Sequence, residues 1–153
     1  MKLLSVLFSL LVLVAACAKR QMVATTPSIA DAPISLSADW LKSRGHRTEV
    51  HVTIINKTDK TLSLHLQDLH CTRGNAPGSV HHKFQTSPFW GQIRLNPHET
   101  ASNLIFCDFD DKKSATETLS LHADKLYEAN LGDDNQSKSI LENLNWTFET
   151  PSH

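Results

Sequence analysis

Beyond residue 33 the apolar residues keep a two-residue period, and no stretch of ten or more follows the 3.6-residue period of a helix. Ile34, Leu36, Ala38 and Trp40 alternate with polar neighbours. So do Val50, Val52 and Ile54, then Leu62, Leu64 and Leu66, then Leu119, Leu121 and Ala123, and finally Leu144, Trp146 and Phe148. Side chains of a strand point alternately to its two faces, so each run reads as a half-buried strand. Leu104–Phe109 is apolar on both faces apart from Asp108, as expected for a strand near the centre of a sheet. Gln92–Leu95 leads into Asn96-Pro97-His98-Glu99, a turn with proline at its second position. About seven short strands with turns between them predict an all-β antiparallel sandwich. A small closed barrel is the alternative. Trp40 and Trp146 are expected in the core, and Ser139-Ile140-Leu141-Glu142 could open a helical turn with a capping box.

The run ending at Ile55 and the run starting at Leu62 are separated by Asn56-Lys57-Thr58-Asp59-Lys60, a turn-rich segment. A hairpin is the expectation. Pairing Ile55 with Thr61 would set Val52 against Leu64, Val50 against Leu66, and His51 against His65. Directly opposed residues have Cβ atoms about 4.5–5.5 Å apart. Two imidazoles at that separation could hold Zn²⁺ or Cu²⁺. Nine histidines are present, and His70 and the His81-His82 pair could add donors. No Cys-x-x-Cys, His-x-x-x-His or His-Glu-x-x-His spacing accompanies them, so solvated surface histidines and no cofactor are the expectation.

The N-terminal segment has a separate character. Lys2 precedes an apolar run, Leu3–Ala16, broken only by Ser5 and Ser9. The run is shorter than the roughly 20 residues of a membrane-spanning helix. It reads as a secretory signal, removed in the mature chain. Val14-Ala15-Ala16-Cys17 resembles the lipobox of bacterial lipoproteins. That resemblance implies acylation of Cys17 and anchoring in a bilayer; Ala18 after it implies the outer membrane. Ordinary signal cleavage is the alternative. The expected layout is a signal peptide over 1–16, a flexible tether over 17–33, and a domain over 34–150. With Cys17 acylated, Cys71 and Cys107 remain, and an even pair in an oxidising compartment predicts a disulfide. Two separate buried thiols are the alternative. Losing residues 1–16 removes only Lys2 from the fifteen basic residues, leaving fourteen against sixteen acidic ones, a net charge of −2. That balance makes no nucleic-acid footprint.

The pattern Val52-Thr53-Ile54-Ile55-Asn56-Lys57-Thr58, followed by Leu95-Asn96-Pro97-His98-Glu99-Thr100 and Leu104-Ile105-Phe106, resembles immunoglobulin-like domains of small bacterial lipoproteins. The resemblance implies a binding or structural module and brings no catalytic residues with it. Nor does the chain carry Gly-x-Ser-x-Gly, Ser-x-x-Lys or a glycine-rich phosphate loop. Asp108, Asp110 and Asp111 lack the spacing of a calcium loop. Phe84, Phe89 and Trp90 lie in a segment read as a long loop, where they could anchor a partner or plug the end of the fold. The reading is therefore a non-catalytic envelope lipoprotein facing the periplasm, with a protein partner. Its runner-up is a metal-binding module built on His51 and His65.

Overall fold

A computed structural model describes residues 23–82, 91–110, 118–129 and 138–149. The described residues form ten strands: β1 (Ala24–Pro27), β2 (Ile34–Arg44), β3 (Arg47–Asn56), β4 (Leu62–His65), β5 (Leu69–Arg73), β6 (Ala76–His82), β7 (Gln92–Leu95), β8 (Thr100–Phe109), β9 (Leu119–Glu128) and β10 (Lys138–Glu149). One 3-10 turn, Leu66–Asp68, joins β4 to β5. Every pairing is antiparallel. The main path runs β1-β10-β9-β5-β6-β8-β3-β2, and β4 joins it by pairing with both β9 and β7. The all-β expectation holds. The strands form one continuous sheet that curls until its two ends meet, where the Ala38 amide donates to Thr25 Oγ1 at 2.9 Å.

The alternation explains which face goes inside. Val50, Val52 and Ile54 of β3, Ile105, Cys107 and Phe109 of β8, Leu119, Leu121 and Ala123 of β9, and Leu144, Trp146 and Phe148 of β10 are all buried in one cluster. Burying a large apolar side chain contributes roughly 1.5–3 kcal/mol, so this inner face specifies the register of the strands that carry it. Among the described residues no helix is long and apolar enough to cross a membrane.

Five expectations change. The hairpin between residues 50–55 and 62–66 does not form: β3 pairs with β2 and β8, whereas β4 pairs with β7 and β9. The physical reason is that both edges of β3 are occupied, by β2 and by β8, so β4 has no edge to pair with; the buried Asn56 side chain bonds the loop that carries the chain away. Trp40 is only half-buried. A bulge between Ala38 and Trp40 inserts Asp39, shifts the alternation by one residue, and sends Leu41 into the core instead. Residues 138–142 belong to β10, not a helical turn. Residues 76–82 form β6 rather than a loop. The tether is also shorter than expected: β1 starts at Ala24, Ile29 packs against the core, and Ala32 is buried.

Candidate functional site

The inward alternation leaves a polar outer face, and strand register aligns it. One row runs Asn145, His122, His70, Ser79, Asp108 and Arg47 across β10, β9, β5, β6, β8 and β3. Neighbouring strands lie about 4.8 Å apart, so these side chains form a continuous belt. Arg47 meets Asp108 through two bonds, Nε to Oδ1 at 2.5 Å and Nη2 to Oδ2 at 2.6 Å. The guanidinium beside it holds the Asp108 carboxyl below its usual range. His81 Nε2 lies 3.5 Å from the same carboxylate, and His70 Nε2 lies 3.0 Å from Asp124 Oδ2. His122 Nε2 sits 3.3 Å from Thr72 Oγ1.

His51 and His65 are not brought together. His51 is on β3 opposite Trp40 and Leu104, with Nδ1 2.7 Å from Asp39 Oδ2 and its ring stacked on Trp40 at 5.5 Å. His65 is on β4 opposite Gln92 and stacks on Tyr127 at 4.1 Å. The metal pair proposed from the sequence therefore has no geometric basis, because the strand pairing it needed does not exist. The histidines that do oppose one another are His70 and His122. Sequence reasoning missed them because β5 and β9 are distant in the chain. The polar alternation of Ser120, His122 and Asp124 was the available signal. Among the described residues, no three His, Cys, Asp or Glu side chains are placed to hold a metal ion.

Cys71 and Cys107 are buried and free, so the expected disulfide is absent. Cys71 lies on β5 and Cys107 on β8, with β6 between them. Two strand spacings put their Cα atoms about 9–10 Å apart, whereas a disulfide takes about 4.4–6.8 Å. The thiols nevertheless interact: burial pushes the Cys107 thiol well up, and the neighbouring Cys71 adds to that. Cys71 Sγ also reaches the Ser79 carbonyl at 3.7 Å. Both side chains are buried, so maleimide should leave both residues unmodified in the folded protein. Both should react in urea, and intact mass should show the reduced chain.

A third cluster joins β4, β9 and the 3-10 turn. Tyr127 Oη donates to Asp68 Oδ2 at 2.7 Å. Burial, and then the bond to Asp68, raise its phenol to about 12. Because the folded value lies above the ordinary one, this group stabilises the fold fully below pH 10 and loses that contribution as pH rises through about 12. Tyr127 is the only tyrosine, so tyrosinate absorbance reports it alone. Its midpoint should lie near 12 and fall in Asp68→Asn.

Cys17, Phe84, Phe89, Trp90 and Asp111 lie outside the described residues. No protein-family model matches the chain, and no curated protein matches it. The solved structures similar to the chain include two at low identity. One is a FixG-related protein from Vibrio parahaemolyticus, at 13% identity and TM-score 0.41, covering 80% of this chain and 99% of that one. The other, from Bacillus subtilis, is named "putative lipoprotein (ycdA)". It matches at 14% identity and TM-score 0.42, over 87% of this chain and 38% of its own. Similarity at this level decides neither family nor chemistry, so the side-chain geometry has to carry the functional argument.

That geometry is mostly one of paired side chains, although Asn145 Oδ1 is buried without a hydrogen-bond partner. Lys60 pairs with Glu128 at 2.7 Å, and His98 lies 2.7 Å from Asp59. On the belt Arg47 meets Asp108, and His70 and His81 lie beside carboxylates.

Proposed function

We propose that this chain is a non-catalytic lipoprotein of the bacterial envelope. Acyl chains on Cys17 would hold it in the outer membrane, and its barrel would face the periplasm as a structural or protein-binding accessory module. The observation that carries this reading is Val14-Ala15-Ala16-Cys17 at the end of a short apolar run with a basic start. Two or more acyl chains give stable anchoring, whereas one gives only marginal binding. Phe84, Phe89 and Trp90 supply the aromatic side chains that commonly anchor a protein partner.

Metabolic labelling with a palmitate analogue tests the anchor. Label should appear on the wild-type chain and vanish in Cys17→Ser, with the protein moving from the membrane to the soluble fraction. Label that persists in Cys17→Ser, or that never appears, overturns the reading. A photo-crosslinker at Phe89 tests the partner in cells. Adducts with lipid and peptidoglycan but no protein would remove the protein-binding part.

A further inference from the structure

We propose that the β2–β3 turn, Arg44-Gly45-His46-Arg47, rests on the phospholipid headgroups of the anchoring bilayer. The proposal builds on the acylation of Cys17 and adds an orientation and a contact surface to it.

The argument is one of reach. β1 begins at Ala24, seven residues after Cys17. Whatever their conformation, seven residues span at most about 24 Å. The exit point is fixed beside β10, because Ala24 pairs with Glu149. It is fixed beside β2 as well, because Thr25 Oγ1 accepts from the Ala38 amide. From that level β2 continues six residues to Arg44, about 20 Å along the strand. The chain upstream of Ala24 leaves towards the same end, since β1 runs from Ala24 to Pro27 antiparallel to β10. The tether is thus just long enough for the cysteine to draw level with the Arg44–Arg47 turn.

The opposite orientation runs against the direction of the chain. β1 runs from Ala24 away from the Arg44–Arg47 turn, and the far rim, which includes Asp59 and His98, lies at the other end of β2, where Ile34 pairs with Asn56. To present that rim to the bilayer, the tether would have to double back along the outside of the sheet.

The turn suits a headgroup layer. Arg44 and Arg47 bracket it, and His46 stands at its tip, with Nδ1 3.1 Å from the Phe109 carbonyl. An open cleft beside it is lined by Arg44, Gly45, His46, Arg47, Glu49 and Asp108. Arg47 is already held by Asp108, so the Arg44 guanidinium is the one that would meet a phosphate. Ile55, the single exposed large apolar side chain among the described residues, is on β3 towards the opposite end. The turn would therefore sit on the headgroups and not insert below them.

The test uses full-length acylated protein in vesicles of phosphatidylethanolamine and phosphatidylglycerol containing nitroxide-headgroup lipid. Fluorophores are placed singly through His46→Cys, Asp59→Cys and Glu142→Cys. Quenching should be several-fold stronger at 46 than at 59 or 142. Equal or stronger quenching at 59 overturns the orientation. Equal or stronger quenching at 142 shows a barrel lying on its side, which also overturns it. The N-terminal peptide mass and vesicle flotation separate the two levels. No acyl mass or no flotation removes the anchor and this proposal together. Flotation without quenching at 46 removes the orientation alone.

Discussion

Replacing Asn56 with alanine should cost about 3 kcal/mol of folding stability. Asn56 is buried at 1% exposure. Its Nδ2 donates to the carbonyls of Lys60 at 2.7 Å and Asn96 at 2.8 Å. Its Oδ1 accepts from the Thr58 amide at 3.0 Å and the Thr58 hydroxyl at 2.9 Å. Alanine strands these groups at the junction of two loops, and each buried orphan costs roughly 1–3 kcal/mol. In urea the unfolding midpoint should fall by about 2 M with an unchanged slope. Asn56→Asp is a sharper probe. It keeps the acceptor but turns a carboxylate towards two carbonyls, so at neutral pH it should be at least as damaging as alanine. An aspartate variant as stable as the wild type would show that these carbonyls are satisfied by water.

Gly78→Val should be comparably severe, at about 3 kcal/mol, near the upper end for overpacking a core. Gly78 sits in the middle of β6, opposite Cys71 on one side and Phe109 on the other. A Cβ there would lie 2.6 Å from Phe109 Cε1 and 2.9 Å from the Asp108 carbonyl oxygen. The ring could give way, but the carbonyl belongs to the β8 backbone. Gly78→Ala combined with Phe109→Leu should therefore recover part, and only part, of the loss from Gly78→Ala alone. Denaturant unfolding of the two single variants and the double variant would measure that coupling. Full additivity would mean that ring and glycine do not meet.

These two residues mark where the sequence was readable and where it was not. Period-two alternation identified the all-β class and most inward side chains, because burial acts on each strand separately. Leu144, Trp146 and Phe148 needed no knowledge of their partners. Strand partners are a non-local property. The polar segment after Ile55 looked like a hairpin loop because its composition is that of a turn. That Asn56 folds inward to bond the loop depends on Leu95 and Asn96, some forty residues later. Trp40 was misplaced by one inserted residue, Asp39, whose carboxylate is held by His51 and Thr53. Bulges leave no periodic trace. Nothing in the sequence around Gly78 shows that it lies within a strand and against Phe109. For the same reason the outer belt could not be assembled from sequence, since its His70–His122 pair needs the β5–β9 register.

The pairing of β1 with β10 has a consequence for how the molecule is made. Its first described strand is hydrogen-bonded to its last, so no N-terminal portion contains a finished sheet. β10 must emerge before β1 has anything to pair with, and the β5–β9 pairing likewise waits for β9. Strands β2, β3, β8, β6 and β5 can pair once β8 has emerged, whereas the pairing of β1 waits for β10. Contacts this distant in sequence also make folding slow relative to helical chains of the same size. Closure of the curled sheet is thus the last event in its assembly.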